Sequence, residues 1–305
     1  MPSPVRSAQG YGPPVRRSGA SQGEALVTWA LWAAVLAAIV ATYARLDPAE
    51  LYHVSRDGLA GGLSRALVVA NFPLSLVAIA LCLVAVDALG RRAWWLAGPA
   101  IALCAVTAVP GVVDQGDLDA RLVNAVPALG VALALGLTLA ATRAAGGWFA
   151  GRLRLDPLRV ALGVLVLVVS IPWLAAELGV FLPEGVFIME RPGLEGDGTT
   201  IAAVHLGHHH GLDGAVLVLS ALLLSRPPAR PGPPGTARLL YLSLMLGYGA
   251  VNLAQDAWNE QLVKRGWVDW AIPSALEPRI EPVWLVVLAL AAVTALALRA
   301  ERAAS

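Results

Sequence analysis

Apolar runs of about bilayer length recur along this chain, at 25–43, 66–89, 96–113, 122–141, 160–182, 201–225, 239–258 and 282–298. That recurrence constrains the fold more than any other feature. A helix needs roughly 20 consecutive apolar residues to cross the hydrocarbon of a bilayer, and a helix pairs its own backbone groups where no water can. The expected fold is therefore an all-α integral membrane protein, a polytopic bundle of about eight transmembrane helices. Composition agrees, since only 14% of the 305 residues are charged against about 25% in a typical soluble domain.

The segment 1–24 is rich in Pro, Gly, Ser and Arg and reads as a disordered cytoplasmic tail. Residues 25–305 read as a single transmembrane helical domain, with 25–43 as an uncleaved first span. An N-terminus on the inside puts fourteen of the 22 Arg and Lys on the cytoplasmic side, so both termini are expected there. An even number of spans agrees. One lysine, Lys264, beside many Arg and Ala looks like the coding bias of a GC-rich bacterium, which suggests a bacterial cell membrane.

A net charge of +1 leaves no concentrated basic face and excludes a nucleic-acid partner. Cys82 and Cys104 lie inside apolar runs and read as small core residues. The polar stretch 45–65 is expected as an outer loop, and 226–236, RPPARPGPPGT, as a stiff non-helical connector. Acidic outer loops, Glu184, Glu195 and Asp197 among them, would give the outer mouth a field that favours cations, although a solvated acidic surface is the plainer reading.

Charged side chains in hydrocarbon cost about 2.5–3.5 kcal/mol on insertion scales, so those inside the runs ask for a reason. Here they gather toward the outer ends. Glu177 ends the fifth run, and Asn252, Asp256 and Glu260 repeat at four-residue spacing in the seventh. The stretch 199–214, TTIAAVHLGHHHGLDG, holds four of the five histidines. If the helix of the sixth run extends back through it, His205 and His209 share one face a turn apart, with His208 beside them and His210 on the other side.

Imidazole suits Zn, Cu, Fe and Ni, and carboxylates complete such sites as ligands or as partners of the ligand rings. The expected centre takes His205 and His209 as metal ligands with His208 or His53 as a third. Glu177 or Asp256 would be carboxylate ligand or general base, and Asp213 would orient His209. The ion would be a transition metal, Zn, Fe or Cu. A competing reading keeps the same histidines as solvated loop residues, or as structural partners of Glu177 and Asp256.

His205, His208 and His209 spell H-x-x-H-H, which resembles one histidine box of the integral-membrane desaturases and hydroxylases. His205 and His209 as H-x-x-x-H are similar to the zinc pair of membrane hydrolases related to alkaline ceramidases. His210 to Asp213, HGLD, is similar to a short piece of carotenoid-cleaving membrane dioxygenases. The companion histidines of those families are not recognisable in this chain, so no role is carried over. Walker loops, nucleotide-binding glycine fingerprints, H-E-x-x-H, C-x-x-C and G-x-S-x-G are absent.

The expected function is a membrane-embedded metal-dependent enzyme, hydrolase or oxidoreductase, with its site near the outer leaflet. Its substrate would be a lipid-like or isoprenoid molecule entering from the bilayer, and its metal would activate water or oxygen. Two alternatives use the same residues. A proton- or metal-cation-coupled transporter would need a second polar constellation on the inner half. A haem- or quinone-binding protein would need two axial histidines, for which only His53 lies apart from the cluster.

Overall fold

The computed structural model describes residues 22–114, 116–144, 148–183, 185–188, 190–192, 200–229, 231–276 and 281–304. The tail expected over 1–24 lies outside the described residues up to 21, as do Thr199 and the loop acids Glu184, Glu195 and Asp197. The helices in chain order are α1 (Gly23–Tyr43), α2 (Gly58–Asn71), α3 (Pro73–Leu89), α4 (Trp94–Ala105), α5 (Ala125–Ala144), α6 (Asp156–Val169), α7 (Ile171–Glu177), α8 (His210–Leu224), α9 (Pro233–Trp258) and α10 (Val283–Ala303). A short antiparallel ladder between β1 (Glu190–Pro192) and β2 (Thr200–Ala202) pairs Arg191 with Ile201.

Among the described residues, four helices are long and apolar enough to cross a membrane, or up to six if each of two bent pairs counts as one span. This supports a helical membrane protein. The bent pairs are α2 with α3, at 47°, and α6 with α7, at 59°. Each break sits beside a proline in the first turn of the second helix, Pro73 and Pro172, where the ring removes a donor and crowds the preceding turn. The sequence alone suggests continuous runs at 66–89 and 160–182, and proline divides both.

Two further expectations are corrected. The stretch 58–65, expected in a loop, is the start of α2, because Gly61, Gly62, Ser64 and Arg65 are buried there and α2 packs along α1. The connector 226–236 is helical from Pro233 onward. Proline is tolerated at that position because the first turn of a helix has no internal acceptor for its N–H.

α9 is the central element, packed most extensively against α8 and α10. A Cβ on Gly214 would lie 2.6 Å from the Gly249 carbonyl oxygen, and one on Gly249 would lie 2.8 Å from that of Gly214. The two backbones touch through paired glycines, the small-residue packing that lets membrane helices associate closely. Either glycine changed to leucine forces α8 from α9, at a cost of about 1–3 kcal/mol or more. The expected result is a lower thermal midpoint in detergent, and an unchanged midpoint would show that the helices do not depend on this contact.

Buried polar bonds tie the other helices in. Trp32 Nε1 donates to Ser220 Oγ at 3.0 Å, joining α1 to α8, and Tyr241 Oη donates to the Leu76 carbonyl at 2.8 Å, joining α9 to α3. At the end of the bundle where α1 begins, charges are paired. Arg159 grips Glu301 through two bonds of 2.6 and 3.1 Å, Arg226 meets Asp156 and Glu24 at 3.0 Å, and Arg238 meets Asp87 at 2.9 Å. On the flanks, Val160, Val164 and Val168 of α6 and Leu285, Leu288 and Leu296 of α10 are exposed, as helix faces turned to lipid would be.

Candidate metal centre

The histidines sit at the opposite end of the bundle from those ion pairs, where α7 and α9 end and α8 begins. α8 starts at His210, so His205, His208 and His209 lie in a loop and not on a helix. Two backbone features stop the helix from extending back. Gly207 has φ of +95°, a left-handed conformation, and His209 is extended, with φ of −109° and ψ of 149°. The loop nevertheless brings the rings of His205 and His209 face to face, with centroids 3.9 Å apart and planes 18° from parallel.

His209 is buried, and its Nε2 contacts the His205 carbonyl oxygen at 2.8 Å. A carbonyl accepts only, so Nε2 carries a proton, and in the neutral ring Nδ1 then keeps its lone pair. That Nδ1 faces Glu260 Oε1 at 3.7 Å and Asp256 Oδ2 at 4.0 Å. The three donor atoms lie within 4.8 Å of one another, and all three side chains are buried. A tetrahedral zinc ion with bonds of about 2.0–2.1 Å sets its ligand atoms about 3.4 Å apart, so the group would have to draw inward to bind an ion. The bond from Nε2 to a backbone carbonyl is the usual outer support of a metal-ligating histidine.

Each carboxylate is held from behind. Asp256 Oδ2 accepts from the Gly211 amide at 2.8 Å, at the N-terminus of α8, where exposed amides favour an anion. A Cβ on Gly211 would lie 2.5 Å from that oxygen, so glycine is what allows this approach. Glu260 Oε2 accepts from Trp173 Nε1 at 2.6 Å. Glu260 lies on a π-helical turn, Asn259–Val263, that continues α9; such turns occur often at functional sites.

The remaining sequence-derived residues fall into distinct roles. His208 is clamped between two carboxylates, Nδ1 against Glu177 and Nε2 against Asp213 Oδ1 at 2.5 Å. Both nitrogens are engaged as donors, so this ring is an imidazolium with no lone pair to offer an ion. Asp213, expected to orient His209, supports His208 instead. The His208 amide also donates to Tyr43 Oη at 2.9 Å. His210 Nε2 contacts Gln255 Oε1 at 2.6 Å and Asp256 Oδ1 at 3.2 Å. His205 stacks on Tyr52 at 4.8 Å, and His53, exposed, meets Tyr52 edge-on at 3.8 Å. His53 therefore stands outside the donor group, separated from His209 by two rings.

Beside the histidines lies a cavity of about 70 Å³, lined by Arg65, His205, His208, His209 and Asp213 among others. About 10–15 Å³ of such space is enough to hold one water, so there is room here for several. It adjoins a larger cavity of about 740 Å³ between α3, α9, α10 and the loop after α4; both are lined by Phe72, Val113 and Leu276. Leu118 and Val113 bring that loop over the histidines.

Asp119 pins the loop in place. Its Oδ2 accepts from the Ser55 amide at 2.9 Å and from the Ser55 hydroxyl, and its Oδ1 accepts from Ser64 Oγ at 3.3 Å. Burial works against its charge, but these bonds and the nearby Arg56 outweigh it and hold the carboxyl below the usual carboxylate range. A group with a lowered folded pKa stabilises the fold above its unfolded pKa, about 3.9, and the contribution is lost as pH falls through the folded value. Amide exchange protection over 116–120 is therefore expected to fall below pH of about 4, and Asp119→Asn to show weak protection already at pH 7. Equal protection in the variant at pH 7 would remove Asp119 from this role.

Glu260 was visible to sequence reasoning only as a spacing partner of Asp256. Trp173, Tyr43, Lys264 and Arg65 carried no signal at all. Lys264 Nζ donates to the Ala203 carbonyl and lies 3.6 Å from Glu260, placing one positive charge beside the two acids. Fold and site together define a helical membrane protein with a buried histidine and carboxylate cluster at one end. Comparison with protein-family models, with curated proteins and with solved structures gives no match for this chain.

Proposed function

We propose that the chain is a membrane-embedded, metal-dependent hydrolase whose ion is held by His209, Asp256 and Glu260, acting near the outer leaflet on a lipid-like substrate. One observation carries the reading: the His209 Nδ1 lone pair, fixed by the bond at Nε2, faces two buried carboxylates that are themselves held by Gly211 and Trp173. A metal in such a site lowers the pKa of bound water and polarises a carbonyl or phosphoryl oxygen. The oxygen-rich donor set, the water-sized cavity and the adjoining apolar cavity favour hydrolysis of an amphiphile over redox chemistry.

The reading includes eight crossings in a cell membrane, with both termini cytoplasmic. It counts α4 and α8 as crossings beside the four long apolar helices and the two bent pairs. Cation transport would need free ionisable groups at the other end, whereas Glu24, Asp87, Asp156 and Glu301 are engaged there with arginines. Axial haem ligation is disfavoured because His205 and His209 stack ring on ring with no space for a macrocycle between them.

The test is turnover of ester- and amide-linked fluorogenic lipids in nanodiscs. Activity is expected to disappear when a chelator strips the protein and to return with zinc or another divalent ion. Turnover that survives complete stripping would overturn the proposal.

A further inference from the structure

Arg65 is the observation that the metal centre leaves unexplained. It lies in α2 with only 6% of its surface exposed, and it lines the small histidine cavity. Among the described residues it has no carboxylate within ion-pair distance, and its buried Nε has no hydrogen-bond partner. Its one contact of note is with the Tyr43 ring, whose centroid lies 5.9 Å from Cζ. A buried guanidinium without a counter-charge is expensive, and Asp213, the acid lining the same cavity, is taken up by His208. No carboxylate of the described residues thus pairs with Arg65 directly, and its buried Nε is left without a partner in the wall of this cavity.

The second observation is what adjoins the cavity. The larger cavity shares Phe72, Val113 and Leu276 with the small one as lining residues. Its volume, about 740 Å³, falls within the roughly 300–1,000 Å³ of small-molecule sites. Leu76, Met245, Tyr248 and Trp284 give it a mainly apolar lining. A charged pocket with room for one small head group therefore opens beside an apolar one with room for a chain.

We infer that the two cavities together form a binding site for a single-chain amphiphile with an anionic head. The head, a phosphate or a carboxylate, is held by the Arg65 guanidinium beside His205, and the chain lies against Leu76, Met245, Tyr248 and Trp284. Guanidinium forms paired bonds with either anion. As an assignment of substrate class this rests on the hydrolase reading above, but the binding itself requires no metal.

The experiment measures binding and not turnover. Protein in nanodiscs of neutral lipid is titrated with twelve-carbon chains brominated near the free end and bearing a phosphate, carboxylate, alcohol or trimethylammonium head. Quenching of tryptophan fluorescence reports the chain, and Trp284→Phe identifies the share due to that residue. A charged hydrogen-bonded contact corresponds to about 10- to 100-fold in affinity. Wild type is therefore expected to bind the phosphate or the carboxylate at least about tenfold more tightly than the alcohol. The better of the two anions identifies the head-group source.

Arg65→Gln is expected to lose the preference while still binding all four chains alike, and Arg65→Lys to keep part of it. Chelation should leave the preference intact, so that failure of the metal reading and failure of this one are told apart. Equal affinity for charged and neutral heads in wild type, or a preference that persists in Arg65→Gln, would overturn the inference. So would quenching that is unaffected by Trp284→Phe.

Discussion

Alanine at His209 is expected to lower affinity for a divalent ion by more than the 10- to 100-fold that loss of an outer supporting group produces, and to take lipid turnover to background. The reason is geometric. His209 Nδ1 faces both Asp256 and Glu260, and without it the group loses its nitrogen donor. His210→Ala should weaken the ion less, about tenfold, because it removes a bond to Asp256 and not a ligand. Isothermal titration of stripped protein checks both. If the cluster were structural alone, His209→Ala would lower the thermal midpoint and leave no metal to lose.

The largest effect on stability is expected far from that site. Asp87→Ala leaves the Arg238 guanidinium fully buried with its carboxylate partner gone. Breaking one side of a buried ion pair costs about 3–5 kcal/mol, whereas replacing both partners with apolar residues of similar volume is often neutral. Thermal unfolding in detergent should therefore show a large fall in midpoint for Asp87→Ala and substantial recovery for Asp87→Leu combined with Arg238→Met. A single variant as stable as wild type would mean that Arg238 is satisfied by its bonds to the Leu224 and Pro227 carbonyls.

The membrane character was legible because it depends on summed apolarity over about 20 residues, which local detail does not disturb. Helix continuity was less so. Pro73 and Pro172 stood in plain view, yet a proline in an apolar run kinks or divides a helix according to what packs around it. The histidine stretch shows the same limit at higher resolution. The rings of His205 and His209 do meet, but not along a helix: the left-handed backbone at Gly207 belongs to a loop that stacks them by another route. Asp256 and Glu260 were marked by their spacing. Their supports, Gly211 and Trp173, lie 45 and 87 residues away in the chain and follow from tertiary packing alone.

Arg65 carried no signal in the sequence, being a single arginine at the edge of an apolar run. Its meaning appears only when the histidine cavity and the apolar cavity are seen to share a wall. Residues of this kind are recognised by what surrounds them and lacks a charge to match, a property that no local pattern encodes.

X-ray absorption at the metal edge of stoichiometrically loaded protein tests the centre most directly. One imidazole nitrogen with carboxylate and water oxygens at about 2.0–2.2 Å, changing to an all-oxygen shell in His209→Ala, is the expected result. A shell of two or more imidazoles, or one unchanged in His209→Ala, Asp256→Asn and Glu260→Gln alike, would contradict a centre built from His209, Asp256 and Glu260.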